Sequence, residues 1–183
     1  GLATAALLAR EAAPALRDPA FGRALSEPEI AAAASLLEDP GISVVAAARV
    51  CWGQPGVHAL HDPTEGGLAT ACREMAASAG LSVEVHANAI LCHPLTARLA
   101  ATLDLDWYGL LASGTLLCSV DRANAYSLLA HVRRAGHSAA RIGTFSDLPD
   151  PGRATAILTG PDGSRALPRF PCDEALRVLT RER

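Results

Sequence analysis

Between His61 and Ala71 the chain reads HDPTEGGLATA. Two carboxylates, a hydroxyl and two glycines stand ahead of an apolar run with helical spacing. That order suits an anion. The first N–H groups of a helix have no intrahelical acceptor, and the helix dipole adds partial positive charge. Gly66 and Gly67 have no Cβ, so a ligand can approach the backbone closely. A phosphate there gains about 0.3–2 kcal/mol from the dipole, beyond its hydrogen bonds. Thr64 is placed to cap the helix. Asp62 could accept backbone N–H bonds within the turn, or help hold a cation that accompanies phosphate. The same residue types also build an ordinary turn, and spacing alone does not choose. The stretch fits neither the GxxxxGK(S/T) phosphate loop nor GxGxxG.

A second stretch, LLASGTLLCSV (Leu110 to Val120), sets Ser113 and Gly114 just before an apolar strand. It reads either as a turn into the sheet or as a backbone-lined wall of the same cleft. His58 and His61 share one short strand and could form a metal-binding pair, but no third ligand is evident. A lone His61 is more often a packing or hydrogen-bonding residue than a catalytic one. No catalytic residue is assigned from local chemistry, and no metal site is expected.

The elements that must position these residues follow from periodicity. One helix is expected over Ala3 to Leu16. Because it carries few strong polar residues, it is also a candidate docking surface. A capping box, Ser26 with Glu29, opens a second helix with an Ile30, Ala33, Ala34, Leu37 stripe, stopped by Asp39-Pro40-Gly41. A third helix runs from about Val44 to Trp52. A strand from Val57 to His61 leads into the motif. Leu68, Ala71, Cys72, Met75, Ala76 and Ala79 then mark a helix ended by Gly80. Strands are expected over Leu81 to His86, Thr115 to Val120, Ala139 to Phe145 and Ala154 to Leu158, with Ser164 to Leu167 as a short partner. Helices are expected over Pro94 to Leu103, from Ala125 to Arg134, and from Asp173 to Thr180. Ser146 to Arg153 is the most linker-like piece. Helices first, then strands and helices mixed, give an α+β or α/β layered sheet with packed helices.

With 183 residues, half of them hydrophobic, the chain can bury one sizeable core. Aromatics are only 4%, so Ala, Leu and Val must build it. The net charge of −3 is spread along the chain, with no basic block for nucleic acid. No apolar run approaches the roughly 18–20 residues of a membrane span, and GLATAALLAR, interrupted by Arg10 and Glu11, does not read as a signal peptide. The five cysteines, Cys51, Cys72, Cys92, Cys118 and Cys172, contain no CxxC pair. An odd, dispersed set argues against a disulfide framework and for a reducing, cytoplasmic setting, with the first four as small buried hydrophobes.

HDPTEGGLATACREMA resembles the C-terminal-domain signature of the AIR synthase superfamily, which includes aminoimidazole ribonucleotide synthetase, selenophosphate synthetase, thiamine-monophosphate kinase and a hydrogenase-maturation branch. DPGISVVAAARV before it, LASGTLLCSV after it, and ARIGTF and LPRFPCDEALRVL near the end occur in the family's order. The resemblance covers nearly the whole chain and implies an α+β C-terminal domain spanning residues 1–183. In the complete protein it implies ATP and Mg²⁺, held mostly by an N-terminal ATP-binding domain that this chain lacks. It further implies phosphoryl transfer to an oxygen or selenium centre, with Asp62, Thr64, Glu65, Gly66, Gly67, Ser113 and Gly114 on the substrate and phosphate side. This chain alone is expected to be inactive and to bind no nucleotide tightly. Its expected partners are the missing domain and, as one option, a second copy of the chain. The other reading is a non-catalytic binding or assembly module. The hydrogenase-maturation branch usually carries Arg where this chain has Glu65. That branch ends in a PRIC-like tail with a substrate-carrying Cys, whereas eleven residues follow Cys172 here, and a helix expected to begin at Asp173 would hold that cysteine back.

Overall fold

Leu68, Ala71, Cys72, Met75 and Ala76 recur at helical spacing and are all buried in helix α5, Gly67–Ala79. Glycines in the left-handed region bound it, Gly66 at φ 72° and Gly80 at φ 66°. The buried stripe lies on a four-stranded sheet and forms one core with Val83, Val85 and Leu158. These positions belong to a computed structural model that describes residues 1–18, 24–148 and 154–180.

The sheet under α5 contains β2 (Ser82–His86), β4 (Gly143–Ser146), β5 (Ala156–Gly160) and β6 (Gly163–Ala166), in the order β4-β2-β5-β6. Only β2 and β5 run parallel, while β4 and β6 pair antiparallel at the two edges. A separate antiparallel ribbon joins β1 (Val57–His61) to β3 (Leu117–Val120). The architecture is mixed α+β, as the element order predicts. Of the expected Ser146–Arg153 linker, residues 149–153 lie outside the described residues.

Two further cores complete the fold. One gathers α1 (Leu2–Glu11), α2 (Ala13–Arg17), α3 (Glu27–Ala34) and α6 (Pro94–Thr102) around Ala5, Leu8, Leu16, Ile30 and Leu99. The other packs α4 (Val45–Cys51) and α7 (Ala125–Arg134) on the ribbon, through Cys51, Leu128 and Val132. The Ser26–Glu29 capping box is present, with the Ser26 N–H and hydroxyl both donating to Glu29 Oε2 at 2.9 and 2.7 Å.

Three expectations need correction. The Ala3–Leu16 helix breaks at Ala12, whose backbone (φ −109°, ψ 19°) leaves the helical region. Nor is it a docking surface: Ala5, Ala6, Leu8 and Leu16 are fully buried, because α3 and α6 cover the apolar stripe that lacks polar residues. The closing helix α8 spans only Leu176–Leu179. Asp173 and Glu174 instead turn toward the Gly66 and Gly109 backbones, which leaves Cys172 exposed on a non-helical segment.

Candidate functional site

The ribbon brings the two motifs together. His61 pairs with Leu117 across β1 and β3, so the segments 62–66 and 112–116 leave it at the same end. Gly67 then seals the junction. A Cβ at Gly67 would stand 2.5 Å from the Leu110 carbonyl oxygen and 2.7 Å from that of Tyr108. Its φ of +61° is also a conformation side chains rarely adopt. The motif helix therefore starts directly on the backbone that leads into LASGT.

Gly66 and Gly67 are buried, while Asp62, Thr64 and Glu65 are exposed. The N–H of Gly67 donates to the Thr64 carbonyl at 2.9 Å. Thr64 thus closes the turn through its backbone rather than capping the helix with its hydroxyl, and the N-cap is Gly66. Among the described residues no side-chain hydrogen bond is made by Asp62 or Thr64. What faces outward is therefore two carboxylates and a hydroxyl, with no cationic side chain between Asp62 and Gly67. Ser113 and Gly114 form a tight turn, with the Thr115 N–H on the Ala112 carbonyl at 3.0 Å. That turn rests on α1: a Cβ at Gly114 would lie 3.2 Å from Leu2 Cδ1, and the Thr4 hydroxyl donates to the Leu111 carbonyl at 2.6 Å.

The closing segment lies across this junction. Arg73 on α5 donates to the carbonyls of Leu167 and Pro168. The Phe170 ring packs so closely on Gly109 that a Cβ there would meet it at 2.5 Å. The Glu174 N–H donates to the Gly109 carbonyl at 3.2 Å, and the Glu174 carboxylate accepts from the Asp106 N–H at 3.1 Å. Between these anchors Asp173 is only 8% exposed. Its Oδ1 accepts from the Ala175 N–H at 3.0 Å, while its buried Oδ2 makes no hydrogen bond. Burial pushes this carboxyl above the ordinary carboxylate range. The N–H groups of Ala175, Leu111 and Gly66 oppose that rise, the last two by proximity rather than by full hydrogen-bond geometry, and the Glu65 charge adds to it. Asp173 therefore lies beside the backbone of both motifs, within electrostatic reach of Glu65.

The two histidines do not form a pair. His58 meets Asp121 at 2.8 Å and His61 meets Glu74 at 2.8 Å, and the register of β1 shifts at His58, between Val57 and Ala59. Among the described residues no group of three or more His, Cys, Asp or Glu is placed to hold a metal, and no helix is long and apolar enough to cross a membrane. Asp173, Arg73 and the His61–Glu74 pair were not singled out in the sequence. The only signal for Asp173 was its place within the LPRFPCDEALRVL segment, which carries no hint of what it would touch.

Residues 23–153, a span that includes both motifs, match the model of the AIR synthase related protein, C-terminal domain. The chain is 35% identical to carbamoyl dehydratase HypE of Escherichia coli K12 over 91 residues, covering 49% of this chain and 27% of that protein. It is 36% identical to HypE of Rhodobacter capsulatus over 107 residues, covering 58% and 28%. A crystal structure of E. coli HypE superposes with a TM-score of 0.63 at 26% identity, covering 80% of this chain and 48% of that one. A hydrogenase maturation protein HypE in complex with ATP gives 0.62 at 26% identity, covering 72% and 41%. The chain spans about a quarter of the length of the HypE proteins it matches and about half of these solved chains. With the family's C-terminal-domain model matched across residues 23–153 and a fold shared with HypE, this chain belongs to the AIR synthase-related family through its C-terminal domain.

Proposed function

We propose that this chain is the substrate- and phosphate-side domain of an ATP-dependent AIR synthase-related enzyme, one that activates an oxygen centre by phosphoryl transfer when an N-terminal ATP-binding domain completes the cleft. The observation that carries this reading is the seating of Gly67 on the Tyr108–Leu110 backbone inside the family-matched stretch, which joins HDPTEGG and LASGT into one surface. A HypE structure of the same fold contains ATP, which supports nucleotide use by the complete protein.

The loop by itself does not fit a triphosphate. The buried Gly67 N–H is committed to Thr64, and the outward groups are acceptors or hydroxyls without a cation. The ligand-facing role therefore falls to Asp62, Thr64 and Glu65. Gly66 and Gly67 set the shape of the loop, and Ser113 and Gly114 form the adjoining wall. Nucleotide and Mg²⁺ would be held chiefly by the other domain, and a carboxylate such as Asp62 suits the hydrated cation that travels with phosphate. The test is phosphoryl transfer by the full-length protein carrying Asp62→Ala or Glu65→Ala. A fall in turnover of roughly tenfold or more fits a group that meets the reacting charge, whereas unchanged turnover in both variants removes the loop from the site.

A second reading, an assembly module, is favoured by large apolar side chains left in solvent: Trp52 at 77%, Tyr126 at 76% and Val45 at 54% exposure. A chain that stays strictly monomeric on size exclusion, and captures no second copy, counts against it.

A further inference from the structure

Two cysteines that stand far apart in the sequence meet in the ribbon core. Cys51 is the last residue of α4 and Cys118 lies in β3, opposite Leu60. Both belong to the cluster that packs α4 and α7 on the ribbon, and their thiols lie close enough to interact. Cys51 is 4% exposed and Cys118 is half-buried. Their other neighbours there are aliphatic: Val50, Val57, Leu60, Leu116 and Val120. The proposed chemistry uses neither thiol.

We propose that Cys51 and Cys118 are a modification site, a dithiol that closes to a disulfide when the protein meets a disulfide-class oxidant. The thiolate of Cys118, the more exposed of the two, attacks one sulfur of an oxidant R–S–S–R. One R–S⁻ leaves and takes up a proton, and a mixed disulfide remains on Cys118. The thiolate of Cys51 then attacks the Cys118 sulfur and expels the second R–S⁻, which is protonated in turn. Two protein thiols give up two protons and two electrons, and R–S–S–R becomes two R–SH. Burial pushes both thiols up, Cys118 to about 12, so at pH 7 on the order of one Cys118 in 10⁵ is a thiolate. Closure is therefore slow and answers sustained rather than brief oxidation. It would staple α4 to β3 at Cys118, opposite Leu60 and so next to the point where β1 enters the HDPTEGG loop.

The test is to hold the folded wild-type chain in excess oxidised glutathione, quench with acid, unfold it, alkylate it, and map peptides by mass. The expected result is a Cys51–Cys118 cross-linked peptide and the loss of two of the five free thiols, besides any glutathione adduct on exposed Cys172, with full recovery on reduction. Cys172→Ser should keep the cross-link, while Cys118→Ser should lose it. Finding Cys51 and Cys118 both alkylated as free thiols, or linked to cysteines other than each other, overturns the proposal. Because the wild-type map needs no substitution, poor folding of a variant leaves the test intact.

Discussion

Gly67 lies against Leu110 so closely that a single added methyl group would reach to 2.5 Å from the Leu110 carbonyl oxygen. This contact makes the motif loop and the wall before β3 one surface, and it cannot yield cheaply because the opposing atoms are backbone.

Gly67→Ala should therefore cost about 2–4 kcal/mol, from the clash together with a φ of +61°. Gly80→Ala, at φ +66° with nothing within 4 Å, should cost only about 1–2 kcal/mol. Urea unfolding of the two variants checks the difference. Equal losses would mean that the Leu110 contact is not tight.

Asp173 should leave a mark on the pH dependence of stability. Its folded pKa is raised above 3.8, so the folded chain binds more protons than the unfolded chain between 3.8 and that raised value. Its contribution is thus fully present below 3.8, falls as pH rises through the raised value, and then stays level. Asp173→Asn has no charge to titrate, so the stability of wild type minus variant should decline with rising pH across that window. Glu65→Gln should narrow the decline by removing one cause of the shift. A flat or rising difference would show that the carboxyl is not held up by burial.

Arg73 should decide how firmly the closing segment is held. Arg73→Ala removes donors to the Leu167 and Pro168 carbonyls and should cost about 1–3 kcal/mol. Amide exchange should quicken over residues 167–175 and stay unchanged in α1 and α3, whose core lies elsewhere. Uniform quickening would point to global destabilisation instead.

Much of this fold was legible in the chain because it is written locally. The 82–86 strand, the capping box at Ser26 and the α5 stripe ending at Gly80 rest on alternation, capping chemistry and helical period. The site was legible as residues but not as geometry. Thr64 closes its turn locally through its carbonyl, a choice between backbone and hydroxyl that residue type does not make. That Asp173 reaches Gly66 and Leu111 depends on partners distant in sequence. The meeting of Cys51 with Cys118 is invisible for the same reason, since dispersal along a chain says nothing about separation in space. The Ala3–Leu16 misreading is of another kind. Few polar residues suit an exposed docking face and a buried core helix equally, and only the neighbours decide.

The central claim is that this chain supplies one side of a cleft whose nucleotide is held by another domain. Calorimetric titration of ATP with Mg²⁺ into the isolated chain, and in parallel into a longer protein containing an N-terminal ATP-binding domain, tests it most directly. The prediction is weak or no binding to the chain alone and clear binding to the longer protein. Micromolar binding of ATP by the isolated chain would contradict it.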